Sequence, residues 1–371
     1  MGVYLIRKLL QEKRNHVTLL VRPGKNVSSE QKARDILNKY LGEDFFDTRS
    51  DRISIVSGDV TRDNLGIDEP VYRDLSTKIS TIFHSAASID FNLPLSEARD
   101  INVTGTRNVL EFAKLCHRTK GLQCFNYIST AYVAGSAKNM FNERQFYIGQ
   151  TFSNTYEQTK CEAEKQVLQE LESGLPCIIF RPSIIGSHSM TGETTPSNIL
   201  FDFMRQFCRE SLPVFLCREE SAINIVPIDY FLDALAIISS QESAVGKAFH
   251  IVHDTNTKVR EIVHSMCRAA GTKVPEFLPL CDSHLIKPRL LLRLNVILNY
   301  VEKSHTFDKT NTSQALQHSG IMCPQIDDLY FKKAYDYCID TGILKIPANR
   351  KNKYSVNYFI GGKEENLCLL K

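Results

Sequence analysis

Short apolar runs alternate along the chain with longer segments in which apolar residues recur at helical spacing. The runs are rich in β-branched and aromatic residues and end at polar or glycine-containing turns, which predicts buried strands. They lie at residues 16–21, 53–56, 79–84, 125–129 and 177–181. Helical spacing is clearest at residues 95–116 and 156–171. This alternation predicts an α/β fold with a doubly wound parallel sheet that carries helices on both faces.

The end of the first predicted strand carries a residue that bears on cofactor choice. In a sheet of this kind, a dinucleotide binds beyond the carboxyl ends of the strands. Arg22 follows the first strand. An arginine at this place pairs with the 2′-phosphate of NADP, whereas an acid would accept the ribose hydroxyl of NAD. NADPH is therefore the favoured cofactor, and a surface arginine without a role is the alternative.

Two further strand ends complete the predicted dinucleotide site. Asp59 and Val60 follow the second strand, where the carboxylate could accept a hydrogen bond from the adenine amino group while the valine packs on the ring. An aspartate that only opens a turn is an equal alternative. Ala86 and Ala87 follow the third strand, and their small side chains would let the backbone approach a dinucleotide closely. Two alanines in any packed loop would look the same.

A phenol, an ammonium group and a pair of hydroxyls form the candidate chemistry. Tyr156 and Lys160 are four residues apart in a predicted helix, so they share one face of it. A neighbouring cation lowers the pKa of a phenol, so Tyr156 is expected to exchange a proton near neutral pH. Ser129 and Thr130 lie at the end of the preceding strand. Taken alone, the tyrosine and lysine could equally belong to a solvated helix face.

Composition narrows the class of protein. The chain has 371 residues, of which 43% are hydrophobic and 23% charged, enough for a large core and two lobes. With 45 basic and 42 acidic residues, its net charge of +3 does not indicate a nucleic-acid partner. The 11 cysteines show neither metal-ligand nor disulfide spacing, so no metal site is expected and a cytoplasmic location is favoured.

In their order, the motifs of the chain resemble those of the extended short-chain dehydrogenases/reductases. The Ser-Thr-Ala-Tyr-Val and Val-Pro-Ile-Asp-Tyr forms favour one branch, the thioester reductases and fatty acyl-CoA reductases with their male-sterility-like NAD-binding domain. The matching segments are residues 20–22, 58–60, 84–87, 102–106, 128–133, 156–160, 181–186 and 225–230.

The resemblance implies roles for individual residues. Thr130 would hydrogen-bond the substrate carbonyl oxygen, and Tyr156 would be the proton donor. Lys160 would bridge the hydroxyls of the nicotinamide ribose and hold the phenol acidic. Pro182 and Ile184 would wall the nicotinamide itself.

The reaction that the resemblance implies is the NADPH-dependent reduction of an acyl thioester to an aldehyde or alcohol. The substrate would be a fatty acyl-CoA or an acyl group bound to a carrier protein. A sugar-nucleotide epimerase or dehydratase, or a hydroxysteroid-type dehydrogenase, is the alternative because these enzymes share the same three catalytic residue types. A remnant of a reductase that no longer catalyses is the second alternative.

The resemblance also divides the chain. Residues 1–186, with return segments at 225–256, would form the NADP-binding domain. Residues 187–224 and 257–371 would form a smaller, mostly helical substrate-binding lobe. Within it, the apolar stripe at residues 285–303 is edged by basic side chains. It could line an acyl channel, rest on a membrane surface, or be a buried helix.

One part of the family pattern is expected to be incomplete. The family has a first strand followed by a Gly-x-x-Gly-x-x-Gly turn, whose amides hold the pyrophosphate. Gly2 matches the last glycine of this turn, and the strand and the other two glycines have no match. In the strand order 3-2-1-4-5-6 that strand is central. We therefore expect two unpaired inner strand edges roughly 9–10 Å apart, and weak binding of NADPH.

Overall fold

The computed structural model describes residues 1–196, 200–201, 204–205, 213–279 and 304–344. The strands in these residues are β1 Val17–Val21, β2 Ile53–Ser57, β3 Thr81–His84, β4 Cys124–Ile128, β5 Cys177–Pro182, β6 Ile184–Ile185, β7 Val214–Leu216, β8 Ala222–Ile223, β9 Ile225–Val226, β10 Ala248–Ile251, β11 Thr257–Lys258 and β12 Glu276–Leu278. The α-helices are α1 Gly2–Leu9, α2 Ser29–Leu41, α3 Glu69–Ser76, α4 Leu95–Arg99, α5 Gly105–Thr119, α6 Thr155–Glu172, α7 Ile228–Ser239, α8 Val259–Ala270, α9 Thr310–Leu316 and α10 Asp328–Asp340.

The centre of the protein is a parallel sheet in the order β10-β5-β4-β3. Every residue of β4 and β5 is buried, as expected for strands covered by helices on both faces. Each of the five predicted strands overlaps an observed strand, and α6 extends one residue beyond the predicted helix at each end. The predicted α/β fold with a parallel sheet is confirmed.

The sheet is interrupted between β1 and β3. β1 pairs with β2 in a separate parallel pair, and β3 pairs with β4 alone. All five residues of β1 are only half-buried, as are the first three residues of β3. Leu20 and Ile82, one from each strand, pack against the same apolar cluster. In the described residues, the two strands therefore share a core without sharing hydrogen bonds.

Helix α1 connects the two strand groups from the other side. Its Tyr4 and Leu5 are buried in one apolar cluster with Ile128 at the end of β4. Leu10, just beyond the helix, is buried in a second cluster, against which Leu19 of β1 packs. Apolar side chains on two sides of α1 therefore pack against both β1 and β4.

A further core lies beyond the carboxyl edge of the sheet. It contains side chains of β7, α8 and α10, together with Tyr132 and Ile184, which come shortly after β4 and β5. The described residues of this core are therefore packed directly onto the ends of the central strands. The stripe at residues 285–303 lies outside the described residues. Among the helices that are described, none is both long and apolar enough to cross a membrane.

Helix α10 docks on the loop that follows β6. The phenol of Tyr330 donates to the Ser187 carbonyl at 3.2 Å, and the Lys333 ammonium donates to the Ser189 carbonyl at 3.2 Å. Gly192 lies in the same loop with φ +73°, and a Cβ placed there would be 2.1 Å from the Lys333 carbonyl oxygen. The absence of a side chain at Gly192 is therefore what allows this contact.

Gly192→Ala is expected to loosen the docking of α10. Its methyl group must displace backbone atoms, in addition to the strain of a positive φ, so unfolding should become easier by about 1–3 kcal/mol more than strain alone explains. Gly174→Ala is the matched control, because Gly174 has φ +97° but no atom within 4 Å of the place that a Cβ would take. Urea unfolding of both variants measures the difference. Equal losses would show that the Gly192 contact is easily relieved.

Candidate active site

Tyr156 and Thr130 meet at the carboxyl end of β4. The threonine hydroxyl lies close enough to the phenol to act on its pKa. Thr130 is the second residue after β4 and is in extended conformation; it begins a short 3-10 helix, and its hydroxyl accepts from the Tyr132 amide. Tyr156 is in the first turn of α6, which Asn154 caps by accepting from the Glu157 amide at 2.8 Å. The strand end and the helix cap together fix the pair.

The surroundings of Tyr156 favour its protonated form. Burial raises the pKa of this phenol to about 12, although the nearby Thr130 hydroxyl acts in the opposite direction. Phe91 packs edge-on against the ring, with centroids 5.5 Å apart. The sequence-based expectation of a lowered Tyr156 pKa is wrong for this structure, because loss of water around the phenol outweighs any effect of Lys160.

Lys160 is the buried cation of the site. Its side chain is only 3% exposed, and its ammonium group donates to the Ile128 carbonyl at 2.8 Å. The same group lies 4.2 Å from the centroid of the Tyr127 ring. Burial lowers the pKa of Lys160 to about 7, while the negative charge of Glu164 acts to raise it. Lys160 therefore changes charge close to neutral pH.

Ser129 and Thr130 point in different directions although they are neighbours. The Ser129 hydroxyl donates to the carboxylate of Glu164, away from Tyr156. Asn102, on the π-helical turn between α4 and α5, donates to Thr159 at 2.9 Å and accepts from the Ser88 amide at 2.7 Å. Asn102 thus ties the segment after β3 to α6 and supports the site without touching Tyr156.

Arg22 and Asp59 come together at the ends of β1 and β2. Their nearest charged atoms are 3.9 Å apart, and the Arg22 side chain is 66% exposed. Burial would raise the pKa of Asp59, but hydrogen bonds from Thr61 and the charge of Arg22 outweigh it, so the pKa is lowered. Val60 lies against Gly105, where an added Cβ would be 3.1 Å from it. An ionised carboxylate beside an accessible guanidinium could bind the polar groups of an adenosine phosphate.

The remaining predicted cofactor residues lie at the start of α1 and near the ends of β3 and β5. Ala86 and Ala87 lie in the irregular segment after β3, and Gly2 begins α1 with no atom within 4 Å of the place that a Cβ would take. Pro182 ends β5 and Ile184 lies in β6, both buried. The role that these residues would share with the Tyr156 pair stays a prediction.

A buried polar atom between Pro182 and Ile184 lacks a partner. The Ser183 hydroxyl has no hydrogen-bond partner among the described residues, and the residue is buried, with only 5% of its surface exposed. Buried hydroxyls of this kind are normally paired. A nicotinamide carboxamide at this strand end would supply the missing group, so the residues present fit a nicotinamide cofactor.

The sequence reasoning missed the polar pair below Lys160. Glu164 and Arg181 are buried and ion-paired, with 2.5 Å between their nearest atoms. Their distance of 17 residues along the chain gives no helical or strand periodicity that could signal the contact. The available signal was a charged residue at a buried position in each element, Glu164 in α6 and Arg181 in β5. Because buried charges are normally paired, two such residues could have been expected to meet.

Comparisons with known proteins identify the family of the chain. Residues 1–235 match the NAD-binding family described as male sterility protein. A nonribosomal peptide synthetase of Aspergillus flavus, asaC, is 27% identical over 86% of this chain and 33% of its own length. A Drosophila melanogaster protein named as a candidate fatty acyl-CoA reductase is 26% identical over 64% of this chain and 49% of its own.

A solved structure extends the likeness to the whole fold. The terminal R domain from the myxalamid PKS-NRPS biosynthetic pathway superposes with a TM-score of 0.79 at 25% identity, covering 93% of this chain and 89% of that domain. The chain belongs to the male sterility protein family of NAD-binding domains. The family resemblance seen in the motifs is thereby confirmed. The chain spans about a third to a half of the length of these two curated relatives.

The buried ammonium of Lys160 predicts a pH-dependent stability. Its pKa falls from 10.5 to about 7 on folding, so between these values the unfolded chain binds a proton that the folded chain does not. Stability therefore rises with pH across this window, by at most roughly 1.4 kcal/mol per pH unit. Relative to Lys160→Met, the wild type should gain unfolding free energy from about pH 7 to pH 10.

Denaturant unfolding at a series of pH values checks this. Lys165→Met is the control, because Lys165 is an exposed lysine on the same helix. Its difference from wild type should not change with pH. A pH-independent difference for Lys160→Met as well would mean that Lys160 keeps an ordinary pKa.

Proposed function

We propose that this protein is an NADPH-dependent reductase of acyl thioesters, acting on a fatty acyl-CoA or a carrier-bound acyl group and forming an aldehyde or alcohol. The observation that carries the proposal is the placement of the Thr130 hydroxyl beside the Tyr156 phenol, with Lys160 buried on the same helix as Tyr156. Two hydroxyl groups converge there at the carboxyl edge of a parallel sheet, where ligands bind. The relatives named for peptide synthesis and acyl-CoA reduction support the same substrate class.

The two hydroxyls act on the oxygen of the thioester carbonyl. Thr130 and Tyr156 donate to this oxygen and stabilise the negative charge that develops on it. When bound, NADPH supplies hydride to the acyl carbon. Tyr156 then gives its proton to the oxygen, and the resulting hemithioacetal separates into aldehyde and free thiol. The raised pKa of Tyr156 keeps the phenol protonated until this step.

The cofactor is held along the strand ends. Arg22 pairs with the 2′-phosphate, and NADPH is therefore the proposed cofactor. Asp59 accepts a hydrogen bond from the adenine amino group. Lys160 holds the nicotinamide ribose. The other proposed contacts are Gly2 at the pyrophosphate, Val60 at the adenine, Ala86 and Ala87 along the backbone, and Pro182 and Ile184 at the nicotinamide.

We propose that the chain has a cofactor-binding part and a substrate-binding part. Residues 1–186 with 225–256 bind the dinucleotide, and residues 187–224 with 257–371 bind the acyl group. Phe91 packs on the Tyr156 ring, and we propose that it borders the acyl group there. The partner is an acyl-CoA or an acyl carrier protein, and we propose a cytoplasmic location.

Removal of the phenol hydroxyl tests the proton donor. Tyr156→Phe should lower acyl-CoA-dependent oxidation of NADPH by at least ~10²-fold, the usual effect of losing a positioned acid. The dissociation constant for NADPH should barely change. Tyr147→Phe is the control, because Tyr147 is 64% exposed. A Tyr156→Phe enzyme with more than about half of the wild-type rate would remove Tyr156 from the mechanism.

The substrate class is tested in the same assay. The wild-type protein should oxidise NADPH with acyl-CoA and not with nucleotide sugars. Turnover of a nucleotide sugar without acyl-CoA activity would favour the epimerase class instead.

A charge reversal tests cofactor choice. Arg22→Glu should weaken NADPH binding far more than NADH binding, because it replaces a partner of the 2′-phosphate by a repelling carboxylate. Arg73→Glu controls for net charge, since Arg73 is an exposed arginine of α3 with a 71% exposed side chain. Fluorescence titration gives both dissociation constants. An unchanged ratio of the two would place the 2′-phosphate elsewhere.

A further inference from the structure

Glu164 occupies a fully buried position one helical turn after Lys160. One carboxylate oxygen accepts from Arg181 Nε at 3.0 Å and from Nη2 at 2.5 Å. The other oxygen accepts from the Ser129 hydroxyl. Arg181 is itself only 1% exposed. All three side chains are therefore held in one network below the candidate active site.

The network meets the catalytic residues through β4. Ser129 lies between Ile128, whose carbonyl accepts a hydrogen bond from the Lys160 ammonium, and Thr130, whose hydroxyl lies beside the Tyr156 phenol. A carboxylate that fixes Ser129 therefore fixes both neighbours. Moving Ser129 would change the Lys160 acceptor and the Thr130 hydroxyl together.

The negative charge of Glu164 also acts on Lys160. The groups that face Lys160 come from three strands and its own helix. They are His84 on β3, Tyr127 on β4, Arg181 on β5 through its pair with Glu164, and Glu164 on α6. Burial and the Lys160 charge lower the pKa of His84 to about 3, so this imidazole is neutral. Among these groups Glu164 is the anion.

A buried ion pair is a costly feature. Replacing such a pair by apolar residues of similar volume is often neutral or stabilising, so stability alone gives little reason for it. We propose that Glu164, oriented by Arg181, is a positioning residue that keeps Lys160 protonated and holds the end of β4 in place for catalysis. The proposal rests on the reductase function proposed above.

Glu164→Gln tests the charge while keeping the shape. Lys160 works as a cation, so activity should fall as pH rises through its pKa. Loss of the carboxylate charge should move the midpoint of this fall in kcat/KM to lower pH by about one unit or more. Dodecanoyl-CoA and NADPH are the assay substrates. Glu164→Asp should restore a midpoint near that of wild type.

Glu162→Gln is the matched control, because Glu162 is on the same helix but pairs with the exposed Arg99. Its midpoint should equal that of wild type. An unchanged midpoint in a folded Glu164→Gln enzyme would overturn the electrostatic role.

Ser129→Ala tests the positional role and keeps every charge. It should lower kcat at least ~10-fold at all pH values without moving the midpoint, the effect expected of a misplaced donor. A wild-type kcat would overturn this role. If Glu164→Gln does not fold, the Ser129→Ala result decides the positional claim by itself.

A readout without activity separates this inference from the proposed function. The stability difference between wild type and Lys160→Met changes with pH through the Lys160 pKa. Measured again in the Glu164→Gln background, the onset of this change should lie about one pH unit lower. If this shift is seen but the wild-type protein does not reduce acyl thioesters, the proposed reductase function is rejected and the electrostatic role of Glu164 stands. If the wild-type protein reduces acyl thioesters but no shift is seen, the reductase function stands and the electrostatic role of Glu164 is rejected.

Discussion

The burial of one ammonium group, that of Lys160, is the constraint on which the rest of the site depends. A buried cation is tolerated only where acceptors and an opposite charge are provided. The Ile128 carbonyl provides the acceptor, and Glu164 provides the charge. Both require the end of β4 and the start of α6 to lie at fixed positions. The Asn154 cap and the neighbours of β4 in the sheet achieve this.

In the proposed reaction, the same arrangement gives each catalytic group a separate task. Burial keeps the Tyr156 phenol protonated, so it would serve as an acid and not as a permanent anion. Thr130 would add a second donor to the same oxygen, and the end of β4 already holds its hydroxyl near Tyr156. The proposed dinucleotide contacts at Arg22 and Asp59 lie at other strand ends, so cofactor choice could be altered without disturbing the acid.

Local patterns predicted much of this molecule. Apolar β-branched runs located the strands, and spacing of four residues placed Tyr156 and Lys160 on one helix. The expected unpaired edges of β1 and β3 are also observed in the described residues. Tertiary contacts could not be predicted. The Lys160 ammonium turns to a backbone carbonyl, and Glu164 meets Arg181 because two buried elements happen to adjoin. Such contacts depend on packing and leave no period in the sequence.

The path of the hydride is the most direct test of the central claim. Acyl-CoA should be incubated with the protein and NADPH that carries deuterium at both C4 positions of the nicotinamide, and the products examined by mass spectrometry. The account predicts deuterium on the former thioester carbon, with release of one free thiol for each aldehyde formed. Thiol release without deuterium in the product would show hydrolysis, and would contradict reduction at this site.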